Sequence, residues 1–272
     1  MSASNDDRVR ITIDDGVAEA RLARPDKRNA LDMAMFAAIA DAGERVRVMP
    51  GVRAVVLCGD GPSFCAGLDF AAIASLAGGR IPPGGALDGP GALQPGGLTN
   101  LGQQLGWVWE QVPVPVVCAV HGHALGGGLQ IALGADIRVC HPDAQLSVRE
   151  VFWGLVPDMS GTHTLSKLVR PDIARELTYT ARLVSGAEAL ALGLVTRLSD
   201  SPIDDAHALA RQIAANSPDA VRAAKALFQR VAAVGAAEQF AAERAGIATL
   251  IGTPNQAEAV RAGMEKRPGN FT

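Results

Sequence analysis

The sequence predicts an α/β fold with layers of parallel sheet, followed by a helical last third. Three observations carry this expectation. Two apolar runs, "RAVVLCGDG" and "PVPVVCAVHG", read as buried strands, and each leads through a glycine-containing loop into a helical pattern. Strand and helix patterns alternate through the first half, as they do where crossovers connect parallel strands. From about residue 160 the pattern is helical almost to the end.

The elements can be justified in order. "VRITIDDGVAEARLARP" reads as a hairpin, with two alternating runs around Asp15-Gly16. In "ALDMAMFAAIADAGERV", Leu31, Met35, Phe36, Ile39 and Val46 recur at helical spacing. "RAVVLCGDG" is a strand ending in a turn, and "SFCAGLDFAAIASLAG" is a loop entering a helix. Residues 78–100 are rich in glycine and proline and read as a loop that could serve as a lid. "LGQQLGWVWEQV" returns to helix, "PVPVVCAVHG" to strand, and the glycine run Gly126 to Gly128 opens the next helix. "DIRVC" and "AQLSV" are short strands. Helices then follow in "PDIARELTYTA", "SGAEALALG", "DDAHALARQIAANS", "PDAVRAAKALFQRVAAV" and "AAEQFAAERAGIATLIG".

Composition bounds the function classes. The chain has 272 residues, 48% hydrophobic and 19% charged, enough for a sizeable core. Its formal charge is −3, which attracts neither nucleic acid nor an anionic membrane surface. The four cysteines, Cys58, Cys65, Cys118 and Cys140, form no CxxC pair and read as small buried hydrophobes in a reducing compartment. The first residues are polar and acidic, without an apolar signal core, and no apolar run approaches the ~20 residues of a membrane span. A cytoplasmic protein is the expectation.

One arrangement occurs twice. "AVVLCGDGPSFCAGLD" and "VVCAVHGHALGGGLQ" are each strand, glycine-containing loop and helix start. Helix starts present unpaired N–H groups. They are either ordinary helix starts packed on their neighbours, or two donors aimed at one oxygen, as in an oxyanion hole. Spacing alone does not choose. A phosphate loop GxxxxGK[ST] is absent. A GxGxxG fingerprint fails because Ile131 stands where its third glycine belongs, and no GxSxG elbow occurs. A nucleotide-dependent oxidoreductase is therefore disfavoured.

Glu150 follows a strand among Val148, Val151, Phe152 and Trp153, a setting that desolvates a carboxyl and raises its pKa towards an acid/base range; a solvated loop glutamate is the plain alternative. Asp158 stands eight residues on, with a helix N-cap as its alternative. His121, His123, His141 and His163 show no metal-ligand spacing, and no metal is expected.

Together, "RPDKRNALD", "SFCAGLD", "AVHGHALGGGLQIALGADIRV", "REVFWGLVPDMSGTHTL", "ALALGLV" and "GMEKRPGNF" resemble, in order from about residue 8 to 271, the crotonase superfamily of enoyl-CoA hydratases and isomerases. "REVFWGLVPD" is most similar to the dienoyl-CoA isomerase branch. The resemblance implies a spiral of ββα units over 1–200 and a helical region over 201–272 that assembles the chain as a trimer or a pair of trimers. It implies an acyl-CoA thioester substrate, with coenzyme A as part of that substrate and no other cofactor. It assigns the oxyanion N–H groups to Leu68 and Gly127, and the CoA and substrate site to Lys27, Arg28, Ala30, Ala66, Gly67, Asp69, Gly126 and Lys266.

The chain departs from that pattern at one point. Hydratases of the family carry a glutamate three residues after the middle glycine, and dienoyl-CoA isomerases an aspartate; here the position is Gln130. An amide cannot shuttle a proton, although it can orient water. The expected catalytic set is Glu150, Asp158 and Gln130, with double-bond isomerisation favoured over hydration. Two alternatives stand: a hydratase in which Gln130 positions water for Glu150, and a CoA- or RNA-binding member without useful catalysis.

Overall fold

The computed structural model describes residues 8–77, 97–231 and 234–272. Most of the expected lid, residues 78–96, lies outside them. Strands β1 (Val9–Asp14) and β2 (Val17–Leu22) form the antiparallel hairpin, in register from Val9↔Leu22 to Asp14↔Val17. Asp15 and Gly16 turn it, both at positive φ (44° and 76°), as a tight two-residue turn demands.

From β2 the sheet runs parallel through β3 (Ala54–Gly59), β4 (Val116–Val120), β6 (Ile137–Cys140) and β9 (Arg197–Leu198), in the order β1-β2-β3-β4-β6-β9. Every residue of β3 and β4 is buried, which explains why both read as continuous apolar runs rather than alternating ones. Side chains alternate between two cores. Val55 and Leu57 face the larger one, with helix α1 (Met33–Val48) and, beyond helix α2 (Phe70–Ala77), helix α3 (Leu101–Gln111). Val56, Cys58, Val117, Ala119 and Val139 face a smaller one.

A second sheet joins β5 (His123–Leu125), β7 (Gln145–Ser147) and β8 (Val184–Ser185). The chain steps from β4 to β5 through His121 and Gly122 and then enters helix α4 (Gly127–Leu133), giving one ββα turn. Gly122 sits at φ 60°, and a Cβ there would lie 2.0 Å from the Pro62 carbonyl oxygen, so the step requires glycine. At the far end of α4, the buried Arg138 guanidinium donates to the carbonyls of Ala135 (2.6 Å) and Leu194 (2.7 Å) and anchors the helix.

Beyond residue 160 come helices α5 (Gly161–Leu168), α6 (Pro171–Thr180), α7 (Gly186–Leu192), α8 (Pro202–Ala214), α9 (Pro218–Arg230), α10 (Ala236–Leu250) and α11 (Pro254–Glu265). This part is not purely helical, because β8 and β9 interrupt it; strands of two residues carry no periodic signal. Helix α8 packs its Ala206, Ala210 and Ala214 onto the smaller core and so forms a layer of the main sheet. Helix α9 is tied down by the buried Lys225 ammonium, which donates to Asp136 (2.7 Å) and to the Val114 carbonyl (3.0 Å). All four cysteines are free and buried, and burial pushes the thiols of Cys58, Cys65 and Cys140 up to about 12. Among the described residues, no helix is long and apolar enough to cross a membrane and no cluster of three or more His, Cys, Asp or Glu could hold a metal ion.

Candidate active site

The two strand–loop–helix segments meet. After β3 the chain runs through Cys65, which bridges Ala124 of β5, to Leu68, which bridges Leu31. The Leu31 N–H donates to the Gly67 carbonyl (2.8 Å), and the Asp69 N–H donates to the Leu31 carbonyl (3.0 Å). Gly67 sits at φ 85°, and a Cβ on it would lie 2.6 Å from the Leu125 carbonyl oxygen. Only glycine allows the two loops to approach this closely.

The loop before Leu31 is sewn to the same place by Asn29, fully buried. Its side-chain amide donates to the carbonyls of Asp60 (3.0 Å) and Ser63 (2.8 Å), and its side-chain oxygen accepts from the Arg24 N–H (2.8 Å). The Ala66 N–H donates to the Arg28 carbonyl (3.0 Å). Asn29, which was not assigned a role from the sequence, sits at a left-handed position, φ 56°, that asparagine tolerates better than most residues.

The glycine run has three separate jobs. Gly126 caps α4 at φ 53°, ψ −122°, a conformation side chains avoid, and a Cβ there would lie 3.2 Å from Glu150 Oε1. A Cβ on Gly127 would lie 2.7 Å from Met159 Sδ and 2.9 Å from Leu31 Cδ1. One on Gly128 would lie 2.4 Å from the Cys65 carbonyl oxygen. The glycines thus serve packing inside the protein as well as a bare backbone. Among the described residues, neither the Leu68 N–H nor the Gly127 N–H has a backbone acceptor.

Both residues line one cavity of about 630 Å³. Lys27, Arg28, Ala30, Ala66, Gly67, Asp69, Gly126 and Glu150 line it too. So do Phe70, Ile73, His123, Arg149, Trp153 and Leu155, which were not assigned to a site from the sequence. Arg28 and burial hold His123 below the ordinary histidine range, burial being the larger cause, and its Nδ1 lies 2.9 Å from Ser63 Oγ. The Asp69 carboxylate is occupied by the Ala71 N–H (3.0 Å) and Arg24 Nη1 (2.8 Å), which hold its pKa down. Lys266, at the end of α11, is not among the lining residues.

Glu150 heads a 3₁₀ turn over Val151–Trp153, its carbonyl accepting from the N–H groups of Trp153 (2.9 Å) and Leu155 (3.0 Å). The residue is 8% exposed. Its Oε1 accepts from Gln130 Nε2 at 2.5 Å, while Oε2 is buried without a partner. Burial pushes its pKa up, the Gln130 hydrogen bond opposes that, and the nearby Asp158 charge adds to the rise.

Gln130 is 1% exposed and its oxygen is taken: it accepts from the N–H groups of Met159 and Gly161, both at 2.9 Å. It is not among the residues lining the cavity, and its amide nitrogen donates to Glu150. Asp158 is exposed, is absent from the cavity lining and does not cap α5, whose N-cap is Ser160. Its surroundings push its carboxyl pKa up, chiefly through partial desolvation.

The arrangement offers two N–H donors, one buried carboxyl and an apolar wall in one cavity. The Enoyl-CoA hydratase/isomerase family matches residues 17–270. The chain is 32% identical over 257 residues to the mitochondrial Delta(3,5)-Delta(2,4)-dienoyl-CoA isomerase of Mus musculus, covering 92% of this chain and 77% of that one. It is 30% identical over 251 residues to the crotonyl-CoA hydratase of Syntrophomonas wolfei, covering 91% of each. The crystal structure of enoyl-CoA hydratase from Mycobacterium tuberculosis H37Rv superposes with a TM-score of 0.84 at 28% identity, covering 98% of this chain and 99% of that one. The chain belongs to the enoyl-CoA hydratase/isomerase family and has the crotonase fold.

Proposed function

We propose that the protein isomerises unsaturated acyl-CoA thioesters through an enolate. The thioester oxygen takes the N–H groups of Leu68 and Gly127, and Glu150 carries the proton. Removing a proton from C2 of a 3-enoyl thioester places negative charge on that oxygen, and each fixed donor to it is worth on the order of 10²–10³ in rate. Returning the proton at C4 moves the double bond into conjugation and adds no water.

The observation that carries this reading is Glu150: buried, raised in pKa, and with one oxygen unpartnered in a residue that lines the cavity. Hydration loses support because the Gln130 oxygen is already saturated by two backbone donors and is not free to hold a water. Lys27, Arg28 and His123 would face the phosphate-bearing part of CoA, while Phe70, Ile73, Trp153 and Leu155 would face the acyl chain. CoA enters as part of the substrate, and this chemistry uses no other cofactor. Lys266 would then reach CoA only from a neighbouring copy, with the exposed Phe240, Ile247, Ile251 and Met264 of the last helices as the assembly face.

A second reading rests on one observation: the Asp158 charge adds to the rise in the Glu150 pKa, so the two carboxyls interact electrostatically. A 3,5-dienoyl chain needs its proton returned further from the thioester, and Asp158 would serve that end.

The test is a panel of 2-enoyl-, 3-enoyl- and 3,5-dienoyl-CoA with hydration and conjugation followed separately. Conjugation of the 3-enoyl substrate, lost in Glu150→Gln, is the expected result. Rapid hydration of 2-enoyl-CoA without any isomerisation would overturn it. Tight acyl-CoA binding with no turnover of any substrate would instead favour the binding-protein alternative.

A further inference from the structure

We propose that Gln130 is a positioning residue that decides which oxygen of Glu150 carries the proton: Oε1 stays an acceptor throughout, and Oε2 takes and returns the substrate hydrogen. The inference rests on the reading of Glu150 as proton carrier.

It starts from the identity of the amide atoms. The backbone N–H groups of Met159 and Gly161 both point at one end of the Gln130 side chain, at 2.9 Å each. Two donors can face only an acceptor, so that end is the oxygen. The other end is then NH₂, which has hydrogens and no lone pair to offer. It meets Glu150 Oε1 at 2.5 Å. A carbonyl oxygen is a better acceptor than the hydroxyl oxygen of a carboxylic acid, so this donor favours Oε1 as the acceptor oxygen whether Glu150 is ionised or neutral. The proton of neutral Glu150 therefore sits on Oε2, the oxygen without a protein partner.

The clamp has little freedom. Gln130 lies within α4, and a Cβ on Gly161 would sit 2.3 Å from its oxygen, so the contact is tight on the far side as well. In the reaction, Oε2 accepts the C2 hydrogen as the C–H electron pair passes into the enolate. The same oxygen then delivers that proton to C4 as the enolate collapses and the double bond settles between C2 and C3. Glu150 ends as it began.

Other charged groups surround this carboxyl. Arg149, beside it in the chain, turns its guanidinium onto the Ala181 carbonyl (2.8 Å) and over the Phe152 ring (3.9 Å). Asp158 lies on the turn before α5. The cavity that Glu150 lines is also lined by His123, Lys27, Arg28 and the paired Asp69.

The experiment is the pH dependence of kcat/KM on 3-enoyl-CoA for the wild type, Q130L and Q130E, with folding checked by circular dichroism. In Q130L the carboxylate loses its donor, so the acid limb moves to higher pH. Because Q130L also strips two backbone donors of their acceptor, Q130E keeps the test alive: one new carboxylate oxygen accepts from Met159 and Gly161, and the other meets Glu150 Oε1. Two carboxyls so placed share a proton, so the single limb splits into two steps. A Q130E profile that superposes on the wild type overturns the proposal.

The swapped pair Q130E/E150Q is expected to fold but stay inactive, because its carboxylate is pinned away from the cavity; activity there overturns the proposal too. If E150Q alone keeps full activity, the proton-carrier reading itself fails. If E150Q is inactive while Q130E leaves the profile unmoved, only the clamp fails.

Discussion

Glu150 and Asp158 stand eight residues apart, and the sequence offers both as candidate carboxyls for proton transfer. The fold separates them. Glu150 is buried, held on one oxygen by an amide, and is one of the residues that line the cavity. Asp158 is exposed and outside the lining. Neighbours decide the difference. Glu150 has α4 behind it, pinned at its far end by Arg138, whereas the turn at Asp158 contributes backbone N–H groups rather than its carboxylate. A carboxyl becomes a candidate proton carrier by being desolvated and oriented together, and only one of the two meets both conditions.

The largest expected effect tests that contrast directly. Glu150→Gln removes the proton carrier while keeping shape, and kcat on 3-enoyl-CoA should fall by about 10²–10⁴. The same variant has a stability signature. The folded pKa of Glu150 lies above the ordinary value of 4.5, so the native state holds its proton more tightly than the unfolded chain. Stability is then lost as pH rises from 4.5 through the folded value. The amide never ionises, so Glu150→Gln should melt above the wild type at pH 7, with the gap closing below pH 4.5. Asp158→Asn should show the same direction with a smaller gap, because water around an exposed carboxyl weakens the shift. Equal gaps in differential scanning calorimetry would erase the contrast.

A second, smaller effect asks whether the turn after Asp158 works through its backbone. A Cβ at residue 161 would displace the Gln130 oxygen it overlaps, and through it Glu150. Gly161→Ala should lower kcat by up to about 10²-fold with KM little changed, since misplacing a catalytic group by about 1 Å costs that much. A KM increase with kcat intact would place the damage in binding instead.

How much of this was legible in the sequence varies with the physics. Strands β3 and β4 were legible because burial on both faces leaves an unbroken apolar run. Strands β8 and β9 were not, since two residues have no period, and β5 lies within the stretch that reads as a glycine-containing loop. Helix α8 was legible as a helix but not as a layer of the sheet: its contact face is Ala206, Ala210 and Ala214, residues that say nothing about a partner until the partner is seen. At the site, Glu150 could be singled out from its neighbours in the chain. The fate of Gln130 could not, because its oxygen is claimed by N–H groups 29 and 31 residues away. Family resemblance located the position, and the amide there departs from the carboxylate that the resemblance leads one to expect.

Asp158→Asn is the smallest expected effect and separates the two readings of the site. On 3-enoyl-CoA the proton leaves C2 and returns two carbons along, within reach of one carboxyl, so the loss should stay below about tenfold, under the range for a proton carrier. On 3,5-dienoyl-CoA the proton must return further along the chain. If Asp158 serves that end, the same variant loses about 10²-fold or more on the dienoyl substrate alone. Parallel small losses on both substrates would leave Glu150 as the one carrier for every chain length. A large loss on 3-enoyl-CoA would mean that Asp158 reaches the reacting carbons despite its exposure, and that burial was a poor guide to which carboxyl works.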